Sequence, residues 1–113
     1  MRIRLEVAPQ AEDYVRVTLT SDGTVVSGIG SDYVAIITHA TAQNTGTEAA
    51  TVEIKKGTET IWRKSVAAGG QEELDTPKIV LLDSDVTATV PSGVTLVVET
   101  IVLPAKALIE LKI

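Results

Sequence analysis

Residues 33–74 read YVAIITHATAQNTGTEAATVEIKKGTETIWRKSVAAGGQEEL, and the order of strands and turns in this stretch decides the fold class. An apolar run over 33–41 precedes a polar turn over 44–47, an alternating strand over 50–55, a Lys56-Gly57 turn and a return strand over 59–66. Alternation with period two puts successive side chains on opposite faces, as in a half-buried strand. The first run is the most continuously apolar of the predicted strands, so we expect it at the centre of a sheet with both faces covered.

The rest of the chain contains further short strands separated by Gly, Pro, Ser and Asp turn signals. Predicted strands cover 2–7, 14–20, 25–26, 72–74, 78–82, 86–90, 94–103 and 107–113. Asp22-Gly23 is typical of a tight hairpin, so we expect the strands on its two sides to pair with each other. Strands at roughly ten-residue spacing predict an all-β, antiparallel β-sandwich, jelly-roll-like, with about eight strands.

Size and composition limit the class of protein. The 113 residues predict one domain over 1–113, with possible terminal strand arms at 1–8 and 104–113; the second arm also contains helix formers at helical spacing. The absence of cysteine excludes disulfides and thiolate metal sites. A net charge of −5 leaves no basic footprint for nucleic acid, and no apolar run approaches the ~18 residues of a membrane span. We therefore expect no nucleic-acid or membrane partner and synthesis in the cytoplasm.

The sequence contains no group of residues that is typical of a catalytic or metal site. His39 is the only histidine, and it has neither a cysteine nucleophile nor a Gly-x-Ser-x-Gly elbow to work with, so it is expected to be an ordinary hydrogen-bonded strand residue. Asp83 and Asp85 could offer oxygens to a cation, but Asp-Ser-Asp is also ordinary turn chemistry. The sequence therefore predicts no catalytic, cofactor-binding or metal-ligating residue and no enzyme.

The candidate functional residues are those suited to protein contacts. Trp62, with Arg63 beside it, is either a core residue at an end of the sandwich or an exposed anchor of an interface, since large aromatic side chains are enriched in both places. Tyr33 is a second aromatic candidate. Apolar residues also run close to both chain ends, and terminal strands that do not fray must pair with their own sheet or with a neighbouring subunit. The terminal candidates are Arg2, Arg4, Leu111 and Ile113.

Five stretches of the chain resemble a pattern in small structural proteins of tailed bacteriophages. They are IITHATAQNTG at 36–46, ATVEI at 50–54, TIWR at 60–63, VAAGG at 66–70 and GVTLVV at 93–98. In that pattern a Thr- and Ala-rich strand end with Asn-Thr leads into a hairpin, an Ala-Gly turn and a later Val-rich strand. The resemblance covers roughly residues 33–103.

The resemblance implies a jelly-roll or sandwich module in a virion, with an assembly role and no catalytic residue. Because the chain is a single small domain, capsid decoration (a cement protein that stabilises the head shell) fits it best. The implied partners are the major capsid protein or other virion proteins, together with copies of the chain itself, a trimer being favoured. The alternative is a tail, neck or fibre module that recognises a host surface glycan or another virion protein.

Overall fold

The computed structural model describes residues 14–105, and in that range the chain forms a β-sandwich of nine strands. The strands are β1 Tyr14–Leu19, β2 Gly23–Val26, β3 Tyr33–Asn44, β4 Ala50–Lys56, β5 Glu59–Val66, β6 Gln71–Glu73, β7 Lys78–Leu81, β8 Val86–Thr89 and β9 Val94–Pro104. The predicted all-β sandwich is confirmed. The arm predicted at 1–8 lies outside the described residues. Of the arm predicted at 104–113, Pro104 ends β9 and Ala105 follows it, while residues 106–113 lie outside the described range.

Two antiparallel sheets make up the sandwich. Sheet A has the order β1-β9-β3, with β6 and β7 both pairing to the remaining side of β3, and sheet B has the order β2-β8-β4-β5. If β6 and β7 are counted as one interrupted strand, the pairs β4–β5, β3–β6/β7, β2–β8 and β1–β9 form one long hairpin that is wound across both sheets. Eight strands wound in this way are the connectivity of a jelly roll.

The core lies between the two sheets and is almost entirely aliphatic. Ile37 and Leu96 from sheet A meet Ile54 from sheet B and Leu82 from the loop after β7, and each of these side chains is at most 1% exposed. Val and Ile suit this position because their branched side chains pack well on a pleated surface. The chain thus fills its interior without any phenylalanine.

The apolar strand β3 is central, as its composition predicts. It pairs with β9 along its whole length on one side and with β7 and β6 on the other. A bulge between Ile37 and His39 adds one residue on β3, and Thr38 donates its hydroxyl to the carbonyl of Glu99 at this point. Bulges of this kind increase the local twist of a strand.

The two predicted hairpins have different outcomes. The Lys56-Gly57 hairpin is confirmed, and Gly57 has the positive φ of 58° that a tight turn requires. The hairpin predicted at Asp22-Gly23 is wrong, because β1 and β2 belong to different sheets. Gly23 does not take a positive φ, and the Asp22 carboxylate accepts the backbone N–H of Val90 at 2.7 Å. The turn at Asp22-Gly23 therefore connects β1 of sheet A to β2 of sheet B.

Candidate interaction surface

Trp62 and Arg63 face opposite sides of strand β5. Trp62 lies on β5 opposite Ile54, faces the core and is only 6% exposed, whereas Arg63 points away from the core and is exposed. This burial favours the core alternative for Trp62. The ring can support an interface only indirectly, by holding β5 in place.

Tyr33 begins β3 in sheet A, so it lies in a different sheet from Trp62, and it is 39% exposed. Its carbonyl accepts the N–H of Leu82, and its own N–H donates to Gly30 at 3.3 Å. The other candidates, Arg2, Arg4, Leu111 and Ile113, lie outside residues 14–105. Their role in contacts stays a prediction.

The outer face of sheet A is apolar near the end where β3 begins. On β3, Ala35 and Ile37 face the core, so the alternate residues Val34 and Ile36 must face outward. Residues directly opposite each other in an antiparallel pair share a face, which extends the assignment to the neighbouring strands. Two rows of apolar side chains result, and we call them the outer apolar face: Tyr14, Ile101, Ile36 and Ile79 in one row, and Leu103, Val34 and Leu81 in the next.

Burial varies strongly across the outer apolar face. Val34 and Leu103 are each 5% exposed and form a small second cluster with Ile36, Ile101 and Ala105. The members on the flanking strands are open, with Ile79 at 55% and Tyr14 at 48% exposure. Surface strands in a sandwich normally alternate apolar-in and polar-out, so this outward patch is a departure from the usual pattern.

A polar row borders the outer apolar face. Arg16, Glu99 and His39 lie opposite one another on β1, β9 and β3. The Glu99 carboxylate is 3.5 Å from Arg16 Nε and 3.9 Å from His39 Nδ1, and all three side chains are partly or largely exposed. The pKa of Tyr14 is raised, mainly by partial burial of the ring against the sheet. A hydrogen bond to Glu99 and the negative charge of that carboxylate raise it further. An apolar centre with a polar border is the usual composition of a protein contact surface.

The exposed large apolar side chains of the described range lie at one end of the sandwich. Tyr14, Ile79 and Leu81 belong to the outer apolar face, while Ile29 and Tyr33 lie in or beside the loop over 27–32. That loop bonds to the end of β7 through Ile29 N–H and the carbonyl of Leu82 at 3.0 Å. The chain enters at Tyr14 and leaves at Ala105 in the same region, and we call this half of the sandwich the contact end.

The sheet edges discourage strand addition at three of the four positions. Edge strand β2 is four residues long with an irregular register, and the β6/β7 edge is broken by Thr76-Pro77. Edge strand β5 places Lys64 at an inward register position opposite the buried Val52. Short strands, breaks and inward charges are the usual protections against edge-to-edge association. Faces and loops are therefore better candidates for contact than these edges.

The opposite end of the sandwich is closed by Asn44, which is 1% exposed. Its Nδ2 donates to the carbonyls of Glu48 at 2.8 Å and Val66 at 3.0 Å, and its Oδ1 accepts the N–H of Gly46 at 2.9 Å. An open depression of about 400 Å³ lies beside it, lined by residues 46–50 and 91–93. Among the described residues that line it, Glu48 is the only titratable one, so the depression offers little to a specific ligand.

The aspartates considered for a cation serve local structure. Asp83 lies 3.0 Å from the Lys56 ammonium, and the Asp85 carboxylate accepts the N–H of Gly28 at 2.7 Å. Within residues 14–105, no group of three or more His, Asp or Glu side chains could hold a metal ion. In the same range, no helix is long and apolar enough to cross a membrane.

Comparison with known proteins shows the fold and no more. No family model and no curated protein matches the chain. A solved Bacillus endospore appendage pilus is similar at 17% identity over 81% of this chain and 85% of that one, with a TM-score of 0.50. A pentameric capsid protein from metagenomic phage sequences is similar at 11% identity over 87% and 67%, with a TM-score of 0.49. The Drosophila NLP core is similar at 19% identity over 78% and 97%, with a TM-score of 0.48.

Two features of these surfaces were missed by the sequence reasoning. Asn44 was interpreted as part of a polar turn, although Gly two residues later is a signal for the side-chain-to-backbone bond that Asn44 makes to Gly46. The outer apolar face gave only one signal in the sequence, the apolar run over 33–37 at the start of β3. Its other members come from β1, β7 and β9, and their alignment with β3 depends on register.

Proposed function

We propose that this protein is a structural component of a bacteriophage virion, and specifically a capsid decoration or cement protein that binds and stabilises the head shell. The observation that carries the proposal is the contact end, where all five exposed large apolar side chains of the described range lie. A domain whose sequence has no group of residues typical of a catalytic or metal site, but which has an apolar surface on one side, is suited to assembly. The resemblance of residues 33–103 to tailed-phage structural proteins supports the virion as its location.

The proposed partners are the major capsid protein or other virion proteins, and further copies of the chain, with a trimer favoured. A stable interface needs about 800 Å² from each partner, which is more than the loop over 27–32 alone can supply. The exposed side chains of Tyr14, Ile79 and Leu81 lie at the same end and can add to that area. The residues proposed for contact are Tyr33, Arg63, Arg2, Arg4, Leu111 and Ile113, with Trp62 holding β5 from the core.

Co-sedimentation with shells assembled from the major capsid protein of the same virus tests this function. Ile29→Glu or Tyr33→Glu places a charge in the contact end, and we expect binding to weaken by about tenfold or more because an unpaired charge at an apolar contact costs over 1.4 kcal/mol. Thr47→Glu makes a similar charge change at an exposed position at the opposite end and should bind normally. If the unmodified protein binds no shells, the proposed function is wrong.

Light scattering of the isolated protein addresses its proposed self-association. A trimer is the expected assembly, and a monomer in solution that forms trimers only on shells also agrees with decoration. If the protein binds shells only as a monomer, the proposal that it forms a homo-oligomer is wrong. For the alternative of glycan recognition, the burial of Trp62 leaves the exposed rings of Tyr33 and Tyr14 as the aromatic surfaces on which a sugar could stack.

A further inference from the structure

Strand β1 is the one sheet edge that lacks a protection against strand addition. It runs over Tyr14–Leu19 in an unbroken register against β9, and it contains no proline, no glycine and a single charged residue, Arg16. Tyr, Val and Thr, which make up most of it, favour extended structure. Within residues 14–105 it pairs on one side only, as the outermost strand of sheet A. A regular edge of this kind is a template for another strand.

The inner side chains of β1 are incompletely covered. Val17 and Leu19 lie opposite Val98 and Leu96, which are 0% exposed, so they face the interior of the sandwich, yet both are only half-buried. The strand of sheet B that contacts β1 is β2, which is four residues long against six for β1. The shorter strand leaves this side of the sandwich partly open, and an added strand would bring its own apolar side chains alongside this row.

We propose that β1 pairs antiparallel with β1 of a second copy, with Val17 directly opposite Val17. The two sheets A then form one continuous sheet, related by a two-fold axis. Each copy offers the same surface to the other, as in other two-fold interfaces.

The sequence of β1 selects this register. The two sandwiches stay side by side only if residues that share a face lie opposite each other, so the two-fold axis must pass through a residue position. Within β1, pairs centred on Arg16 or on Val17 overlap by five residues, and any other centre overlaps by three at most. Centring on Arg16 places like charges directly opposite, which is destabilising. Centring on Val17 places Arg16 opposite Thr18 instead.

Main-chain hydrogen bonds would hold the pair together. Alternate residues of an edge strand direct their N–H and C=O groups outward, so a five-residue overlap forms roughly four to six bonds. The edge is about 20 Å long and about 10 Å deep, or roughly 200 Å² per copy, a quarter of the ~800 Å² of a standard interface. We therefore expect a weak, concentration-dependent pair that is best detected by covalent trapping.

This pairing goes beyond the proposed function and does not depend on it, because it needs only two copies of the chain. A two-fold contact would link trimers and not build them. The overlap over 15–19 includes neither Ile29 nor Tyr33, the residues changed in the co-sedimentation test. The two tests can therefore fail independently.

Disulfide trapping tests the register. The chain has no cysteine, so Val17→Cys and Val15→Cys each place a single thiol at a half-buried inward position of β1. In the proposed pair the two thiols of Val17→Cys lie directly opposite, with Cβ atoms about 5 Å apart, whereas those of Val15→Cys are separated by about 13 Å along the strands. Under mild oxidation, we expect Val17→Cys to yield a covalent dimer and Val15→Cys to yield roughly tenfold less.

Absence of a covalent dimer from Val17→Cys overturns the proposal, because the edge is then closed or meets something else. Equal yields from Val17→Cys and Val15→Cys also overturn it, since they indicate another register or random collision.

A pair of charge variants at the exposed Thr18 provides an independent check. Made in the Val17→Cys protein, Thr18→Glu places a negative charge opposite Arg16 of the other copy and should raise the yield of dimer at low salt, whereas Thr18→Lys should lower it. Both changes are at an outward-facing edge position, so both proteins should fold. Equal yields from the two variants overturn the placement of Thr18 opposite Arg16.

Discussion

Replacing Asn44 by alanine should destabilise the protein by about 3 kcal/mol. The side chain makes three hydrogen bonds, two to the carbonyls of Glu48 and Val66 and one from the N–H of Gly46. Each contributes about 1 kcal/mol net, and the loss is greater where a partner stays buried without water, as at Val66. The backbone bond from Asn44 N–H to the carbonyl of Gly70 is kept, so β3 itself should persist.

Urea and thermal unfolding measure this loss directly. For a domain of this size, ~3 kcal/mol corresponds to a fall in Tm of roughly 12 °C. Gln43→Ala is the matched control, because Gln43 is the exposed neighbour on the same strand and its truncation should change stability by no more than about 0.5 kcal/mol. A loss at Asn44 below about 1 kcal/mol, or equal to that of the control, would refute the argument that this network closes the end of the sandwich.

Asn44→Asp separates hydrogen bonding from packing. The new side chain has the same shape, but it points a carboxylate oxygen at the carbonyls that now accept from Nδ2 at 2.8 and 3.0 Å. Burial beside two carbonyls should raise the pKa of the introduced carboxyl in the folded state. The variant should therefore lose stability as pH rises through that pKa and regain part of it in acid. A pH-independent deficit equal to that of alanine would contradict the proposed donor role.

Three further changes test other parts of the structure. Thr100→Val should raise stability by about 1 kcal/mol in urea unfolding, because the buried hydroxyl has no hydrogen-bond partner among residues 14–105; a loss would show that the hydroxyl is bonded. Gly28→Ala should cost about 1–3 kcal/mol, since a Cβ there would lie 2.7 Å from the carbonyl carbon of Ser84, and an unchanged Tm would mean that this loop shifts freely. Burial and Glu99 raise the pKa of Tyr14 above its usual value of 10.0, so the stability contributed by its neutral form is present below pH 10 and falls as pH rises through the folded-state pKa. Tyr14→Phe should remove that part of the alkaline fall in Tm, and an identical fall in both proteins would contradict the assignment.

Local patterns predicted much of the fold correctly because strands and tight turns depend on neighbours in sequence. Period-two alternation identified β1, β4 and β8, and the apolar run identified β3 as a central strand. Lys56-Gly57 was predicted as a hairpin turn, and the observed φ of 58° at Gly57 is one that a residue without Cβ takes at low cost. Asp22-Gly23 carried an equally good local signal, yet it joins two sheets. The sheet to which a strand belongs depends on which strands it pairs with. The residues of a turn do not determine that pairing.

The interaction surface was predicted less well because it combines residues that are distant in sequence. Trp62 could have faced either side of its strand, and only the register of β5 against Ile54 turns it into the core. The row of Tyr14, Ile101, Ile36 and Ile79 exists because four strands align at those positions. A shift of one residue in any register would move that strand's side chain to the opposite face.

By itself, the sequence determined the class of this protein: an aliphatic, cysteine-free, all-β chain whose strands must bury one face or both. Those properties follow from composition and from the two-residue period, which need no knowledge of contacts. Only the tertiary structure decided the jelly-roll winding, the burial of Asn44 and the one-sided contact end. Each of these arises from pairing between strands that are distant in sequence. Local preferences give the alternative registers nearly equal free energies, and the packing energy of the core favours one of them.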